Sequence, residues 1–315
     1  MTHENLKHYI LLVGAMFFWG GSWVSAKILV SIAPAMTIGF FRFLIGSAFF
    51  IGFLTATGSF KNVFKRSNLK WIFLAGLTGV FGYGVFFLIG MQFTTAAQGS
   101  IIAGTNPATV SIFAHIIHKE RLDDRWRYVG FLLAYLGIVF VIGIQSLLDF
   151  HLEYLIGNLI IVCAMMVWGL YSSIGKKAME NMSSAEATGG GIMIGCAMFG
   201  IGAFFEGFWT LPAIVSIDFW WNILFLGGAV TFLGFFFYFD AIKSIGATRS
   251  AIFINLVPVF GTLLSVLILG EIIYWTFIVG LILVSIGIVT INFPSKKSDI
   301  RKPTTYDESM LVTEE

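Results

Sequence analysis

The sequence predicts an all-α polytopic membrane protein with ten transmembrane helices, arranged as two inverted five-helix repeats. Three observations carry this prediction: an apolar composition, an uneven distribution of basic residues and an internal duplication. Of the 315 residues, 57% are hydrophobic and only 11% are charged, and the mean hydropathy is +0.89. Soluble domains carry about 25% charged residues. The chain therefore needs lipid as its solvent.

The same composition excludes several other classes of protein. A formal net charge of +2 over this length offers no basic face for nucleic acid. The two cysteines, Cys163 and Cys196, lie within apolar runs, where a free thiol behaves as a small hydrophobe. No Cys/His spacing indicates a metal site. We therefore expect no metal, no cofactor and no nucleic-acid partner.

The ten spans follow from segment length. A bilayer core about 30 Å thick needs roughly 20 apolar residues per helix. Ten such segments fit the sequence, at residues 9–29, 35–55, 70–92, 96–117, 127–145, 155–175, 188–209, 219–242, 248–269 and 275–293. We accordingly divide the chain into a first repeat (1–148), a second, inverted repeat (149–293) and a polar cytoplasmic tail (294–315).

The basic residues predict the orientation, because Lys and Arg concentrate in short cytoplasmic loops. With the N-terminus inside, 17 of the 19 basic residues fall on the cytoplasmic side and none falls in an outside loop. The two exceptions, Lys27 and Arg42, lie within spans or at their ends. We expect a multi-pass protein of the plasma (inner) membrane with both termini in the cytoplasm.

The internal duplication recurs at an offset of about 150 residues. Proline, glutamate, Trp-Gly and glycine positions match between the halves: Pro107 with Pro258, Glu120 with Glu271, Trp19-Gly20 with Trp168-Gly169, and Gly130 and Gly137 with Gly280 and Gly287. Because each repeat has an odd number of spans, the second half enters the membrane upside down. Inverted repeats commonly place a substrate site at the membrane midplane between the two halves.

Pro107 and Pro258 fall near the centres of spans 4 and 9. Proline removes a helix hydrogen bond, and in lipid the freed carbonyl must be satisfied by neighbours or by a cavity. Asn106 and Asn255 place an amide beside each break. The prolines are either static kinks relieved by packing or hinges at a site, and their matched depth in both repeats favours the hinge.

Ionisable residues inside spans are costly and therefore mark possible sites. Arg42 lies deep in span 2, where it could hold an anionic group of a substrate, or cap the carbonyls of a broken helix, or pair with a carboxylate. Lys27 and Glu206 lie at similar depth near the outer ends of spans 1 and 7. They could pair as an outer gate or extend separately to the headgroups. Asp240 has Lys243 one turn on, which suggests a local pair.

Aromatic and amide side chains complete the candidate cavity. Flat apolar faces combined with a few hydrogen-bonding groups are typical of small-molecule sites. The candidates besides Arg42, Asn106 and Asn255 are Trp19, Tyr83, Gln98, Asn158, Trp168, Tyr171 and Tyr238, and core packing is the alternative for each. The glycines of spans 3, 5, 8 and 10 predict close helix contacts, within the chain or at a dimer face.

These residues resemble the drug/metabolite transporter superfamily and, within it, the EamA-type permeases. The resemblance rests on Trp19-Gly20-Gly21-Ser22, Arg42-Phe43-Leu44 and the stretch from Thr94 through Pro107 to Leu122, repeated in the second half by Trp168-Gly169, Pro258 and Gly270-Glu271. It extends from about residue 9 to residue 292 and implies secondary transport, often export, of small metabolites such as amino acids.

The resulting hypothesis is a secondary transporter that alternates access to a midplane site between its repeats, driven by protons or a counter-substrate. Its expected partners are the lipid bilayer and a small-molecule substrate, and a homodimer is left open. The alternatives are a membrane-embedded enzyme acting on lipid-like substrates, and a passive channel or assembly factor. An enzyme would need a cluster of reactive groups facing one cavity, and the sequence offers only dispersed carboxylates.

Overall fold

The computed structural model describes residues 3–118, 125–140, 152–245, 250 and 253–292. Within these residues the protein is almost entirely helical and contains no β-strand. Seven helices are long and apolar enough to cross a membrane, and three shorter apolar helices, Tyr128–Val139, Phe253–Leu269 and Trp275–Gly287, bring the number of spans to ten. The predicted fold class is confirmed.

The spans keep the predicted order. Spans 1 and 2 are His3–Val30 and Ala35–Ala56, span 3 is Arg66–Ala75 continued through Gly76–Gly82 to Tyr83–Phe93, span 4 is Ala96–Ala103 followed by Asn106–His118, and span 5 is Arg125–Val139. Spans 6 and 7 are Leu152–Ala178 and Ser184–Phe205, span 8 is Ile217–Leu224 continued through Phe225–Leu233 to Gly234–Ile245, span 9 is Phe253–Asn255 followed by Leu256–Leu269, and span 10 is Trp275–Asn292.

Span 7 shows how local chemistry sets the end of a helix. It begins four residues before the predicted position because Ser183 and Glu186 form a reciprocal capping box: each side chain bonds the backbone N–H of the other. It ends at Phe205, and Gly207 follows with φ of 66°, a left-handed conformation that glycine adopts without strain. The Ser-x-x-Glu capping pattern at the start of the helix and the glycine after its end are both visible in the sequence once the helix boundaries are known.

Four spans are irregular at matched positions in the two repeats. Spans 3 and 8 pass through π-helical segments, Gly76–Gly82 and Phe225–Leu233. Span 4 breaks at a turn over residues 104–105, and span 9 begins its described part with the 3₁₀ turn Phe253–Asn255. Each break directly precedes the segment that contains Pro107 or Pro258. π-Helical insertions are rare and frequently occur at functional sites.

The two repeats interlock through their first spans. A Cβ on Gly20 in span 1 would lie 2.8 Å from the backbone nitrogen of Gly261 in span 9. A Cβ on Gly169 in span 6 would lie 2.7 Å from the backbone of Thr109 in span 4. Each Trp-Gly pair of the duplication therefore brings the first span of one repeat against the fourth span of the other, at a separation that only glycine allows.

The contacts also show the inversion directly. Lys27, near the end of span 1, donates to the carbonyl of Thr94, which follows span 3. A Cβ on Gly157, near the start of span 6, would lie 2.8 Å from the nitrogen of the same Thr94. Span 1 thus ends where span 6 begins. This face, which also carries Glu271, is called the Glu271 end of the bundle, and the opposite face is called the Lys176 end.

Spans 5 and 10 pack against each other through their glycine stripes. A Cβ on Gly137 would lie 2.8 Å from the carbonyl oxygen of Gly280, and one on Gly287 would lie 2.6 Å from that of Gly130. Backbones this close exclude any larger residue. The sequence left open whether these glycine stripes pack within the chain or at a dimer face. The structure shows that they pack against each other within the chain.

Candidate functional site

Arg42 lies in the interior of the bundle, with 9% of its surface exposed. Its Nε donates to the Thr231 hydroxyl at 3.4 Å, and the guanidinium carbon lies 4.9 Å from the centre of the Phe43 ring and 6.0 Å from that of Phe87. The Thr231 hydroxyl in turn donates to the carbonyl of Leu226, five residues back in the π-helical segment of span 8. The irregular segment thus orients the acceptor that Arg42 uses.

This environment leaves most of the guanidinium without a strong acceptor. Arginine has five N–H donors, and one of them has the Thr231 partner. Across the described residues, no carboxylate oxygen lies within 4.0 Å of an Arg42 nitrogen. Among the described residues, Arg42 contacts neither a backbone carbonyl nor a carboxylate, and its guanidinium lies beside aromatic rings.

A first aromatic cluster adjoins Arg42 and spans the repeat boundary. The ring of Tyr83 in span 3 stacks on Phe87 at 5.7 Å and meets Trp168 in span 6 edge-on at 4.9 Å. Tyr171 continues the cluster at 5.2 Å from Trp168. A Cβ on Gly79, in the π-helical segment of span 3, would overlap the ring of Tyr171. The three predicted aromatic residues are therefore brought together, and each is half-buried.

A second aromatic cluster occupies the corresponding place around span 1. The Trp19 ring lies 5.3 Å from Tyr238 and 5.5 Å from Phe235, both in span 8. Its indole nitrogen donates to the carbonyl of Val230 at 3.2 Å, in the π-helical segment. A Cβ on Gly234 would lie 2.6 Å from that nitrogen. Each repeat tryptophan thus packs against the irregular span of the other repeat.

Asn106 and Asn255 occur at the helix breaks of spans 4 and 9, as the sequence places them. In both residues the amide oxygen Oδ1 is buried and has no hydrogen-bond partner within the part of the chain that the structure describes. Leaving a buried acceptor unsatisfied costs about 1–3 kcal/mol. Such a cost in two matched positions calls for an explanation beyond chance packing.

Gln98 and Asn158 have a different environment from the aromatic clusters. Both are buried, and the Asn158 amide donates to Gln98 Oε1 at 3.2 Å. The Thr94 hydroxyl lies within hydrogen-bonding distance of the amide oxygens of both. Asn158 is ten residues from Trp168, about 15 Å along span 6. The structure thus places these two predicted cavity residues in a compact network at the Glu271 end.

Lys27 and Glu206 do not bind each other. Lys27 Nζ donates to three carbonyls at the end of span 3, those of Met91, Gln92 and Thr94. Glu206 accepts from the backbone N–H groups of Met36 and Thr37, and from the Thr37 hydroxyl, at the start of span 2. Each charge therefore lies at the helix terminus whose partial charge it complements.

Glu271 is a residue that the sequence marked only as part of the duplication. Its carboxylate accepts from the N–H groups of Ala96 and Ala97, at 2.7 and 2.9 Å, at the start of span 4. The positive charge of Lys27 is close enough to interact electrostatically with the Glu271 carboxylate. The sequence did contain a signal for this cap, namely an acidic residue just beyond a span at matched positions in both repeats. The counterpart of Glu271 in the first repeat, Glu120, lies outside the described residues.

The bundle has a cavity at the Lys176 end, between spans 2, 7 and 8. Its volume is about 280 Å³, and its wall includes Phe50, Thr57, Ser183, Phe232 and Asp240. The Asp240 carboxylate lies 3.3 Å from Nδ1 of His8 in span 1. The side chain of Lys243, the partner predicted for Asp240, lies outside the described residues.

Ten spans in two interlocked, inverted repeats define a multi-pass membrane protein of the inverted-repeat class. The EamA-like transporter family matches this sequence twice, over residues 6–143 and 155–293. The chain belongs to that family and is a transporter of this type, as its residues suggested.

Similar proteins agree with this assignment. Two uncharacterized transporters of Bacillus subtilis, YyaM and YetK, are 28% and 26% identical to the chain, and the alignments cover 92% and 95% of it and 94% and 91% of the relatives. A solved crystal structure superposes with a TM-score of 0.64 at 19% identity, covering 90% of this chain and 96% of its own. That likeness concerns the fold.

Proposed function

We propose that the protein is a secondary active carrier that moves small metabolites carrying an anionic group, such as amino acids, out of the cell. Arg42 binds the anionic group, and the two repeats alternate access to it. The observation that carries this proposal is the buried guanidinium of Arg42, which has no carboxylate partner among the described residues. In an apolar interior such a charge is costly, and a substrate anion would offset the cost during transport.

The surroundings of Arg42 support a site that changes shape. The acceptor Thr231 and the neighbour Tyr83 belong to, or directly follow, the two π-helical segments. These segments lie in the third span of each repeat, where glycines make room for Tyr171 and Trp19. A shift of either segment moves a group that faces Arg42 without unfolding a span.

The orientation follows from charge. With the N-terminus in the cytoplasm, the Lys176 end, which carries Lys61, Lys65, Lys176 and Lys177 among the described residues, faces inward. The cavity between spans 2, 7 and 8 then opens to the cytoplasm, and the opposite end carries the helix caps made by Lys27, Glu206 and Glu271. Arg42 lies eight residues from Phe50 of the cavity wall, about 12 Å along span 2. This arrangement suits uptake of a cytoplasmic substrate for export across the plasma membrane.

The test is counterflow in proteoliposomes that contain the purified full-length protein. A panel of labelled amino acids and other small carboxylates is offered against unlabelled solute inside, and we expect saturable exchange. Arg42→Ala should weaken the apparent affinity by about 10–100-fold, because a hydrogen bond to a charged group contributes about 1.5–3 kcal/mol. Arg42→Lys should recover part of it.

Lys70→Ala is the matched control, since Lys70 is an exposed cation over the ring of Trp71 and should not affect exchange. Flux that rises linearly with concentration would contradict the carrier and favour a channel. Normal affinity in a folded Arg42→Ala protein would contradict the anion site.

A further inference from the structure

Spans 4 and 9 cross in the interior of the bundle. A Cβ on Gly261 would overlap the Cβ of Ser100, and one on Gly104 would lie 3.2 Å from the ring of Pro258. The pairs 100 with 261 and 104 with 258 run in opposite directions along the chain, so the two spans are antiparallel. The crossing therefore brings both helix breaks to one place.

The two asparagines lie on the same side of this crossing. Asn106 is two residues beyond Gly104, and Asn255 is three residues before Pro258. Because the spans are antiparallel, both steps lead towards the Lys176 end, by about 3 and 4.5 Å along the helices. The two amide oxygens, both buried and without a hydrogen-bond donor from any described residue, thus lie at nearly the same depth.

The prolines remove backbone donors close to this level. Proline has no backbone N–H, so it removes the donor that a helix would direct at the carbonyl four residues earlier. For Pro107 that carbonyl belongs to Ala103, and for Pro258 it belongs to Ile254. Unwound backbone in inverted-repeat transporters is where neutral oxygens can surround a cation.

We propose that Asn106 and Asn255 form a binding site for a monovalent cationic group at the crossing of spans 4 and 9. The ligand is held by neutral oxygen atoms, which suit both a free alkali cation and the ammonium group of a substrate. The site is formed by spans 4 and 9, whereas Arg42 and its partner Thr231 belong to spans 2 and 8. It would provide a coupling ion, or the second point of attachment for a substrate that carries an amine.

Thermal unfolding of the purified full-length protein tests this site. The unfolding midpoint Tm is measured at one ionic strength in sodium, potassium, methylammonium or choline chloride, with choline, the bulkiest of the four cations, as the reference. A bound cation stabilises the folded state, and we expect a rise in Tm of about 3 °C or more over choline. A rise in sodium or potassium indicates a free cation, whereas a rise in methylammonium alone indicates a substrate amine.

The decisive variant is the double substitution Asn106→Leu and Asn255→Leu, which keeps similar side-chain shapes and removes both oxygens. It should unfold at the same Tm in all four salts. Asn106→Asp should retain the cation-dependent shift, because it keeps an oxygen and adds negative charge. Asn222→Leu is the control: its amide is also buried but already donates to the Asp218 carbonyl. It should lower Tm and leave the shift between salts intact.

Two results would overturn the cation site. One is a wild-type Tm that is the same in all four salts, which is the result expected if water occupies the crossing. The other is a shift that persists in the double leucine variant. Arg42→Ala should keep the shift between salts while losing anion-dependent counterflow, so failure of the cation site and failure of the anion site are distinguishable.

Discussion

The carboxylate of Glu271 binds the backbone N–H of Ala96, 175 residues earlier in the chain, at 2.7 Å. Two residues before this contact, Lys27 binds the carbonyl of Thr94. At the junction between spans 3 and 4, the Lys27 cation therefore binds the C-terminal end of span 3, and the Glu271 anion binds the N-terminal end of span 4. Lys27 belongs to span 1 and Glu271 to the connection between spans 9 and 10, so the two charges join three separate parts of the chain at the Glu271 end.

Replacing Glu271 should loosen this junction. Glu271→Gln keeps an acceptor but removes the charge that complements the start of span 4, and we expect a loss of about 1 kcal/mol in unfolding free energy. Glu271→Ala should cost more, because two N–H groups lose their partner. Thermal unfolding measures both. Glu180→Gln, at an exposed pair with Lys177, is the control and should cost little. A Glu271→Gln variant as stable as the control would contradict the cap.

Lys27 and Glu206 provide a sharper test, because an ion pair and two separate caps predict opposite results. Lys27→Glu and Glu206→Lys each place the wrong charge at a helix end and should each destabilise the protein. If the residues paired, the double variant would restore stability. We expect instead that the two losses add, as for independent sites. Recovery of the wild-type Tm in the double variant would establish a pair.

Gly169 should tolerate no side chain. Its Cβ would lie 2.7 Å from the backbone of Thr109, which cannot move aside, so we expect Gly169→Ala to cost about 1–3 kcal/mol. Gly175→Ala on the same span is the matched control, since nothing lies within 4 Å of its Cβ position. It should be neutral or slightly stabilising in thermal unfolding. Equal effects at the two positions would mean that spans 4 and 6 are not in backbone contact.

The glycine stripe of span 10 distinguishes packing within the chain from a dimer face. Gly287→Val would place carbon atoms against the carbonyl of Gly130, and we expect it to lower Tm whatever the oligomeric state. Size-exclusion chromatography with light scattering and thermal unfolding are measured on the same sample. A variant that only dissociates a dimer, with the Tm of the protomer unchanged, would assign the stripe to an intermolecular contact.

The sequence by itself determined the number and order of the spans and the two-repeat architecture. The physical reason is general. A helix that crosses a bilayer needs about 20 apolar residues, and a repeat with an odd number of spans must enter the membrane in the opposite orientation to its copy. It also marked Trp19 and Trp168 through their matched positions. These inferences use only local composition and spacing, which are the same whichever way the spans pack.

The tertiary structure alone decided which of the marked residues meet. It bound Lys27 and Glu206 to different helix ends, enclosed Gln98 with Asn158, and left Arg42 without an anionic partner among the described residues. It also showed π-helical segments that no local pattern indicated. Such contacts join residues 60 to 190 positions apart, and their geometry depends on how the backbones approach one another. Nothing in the spacing of a single span contains that information.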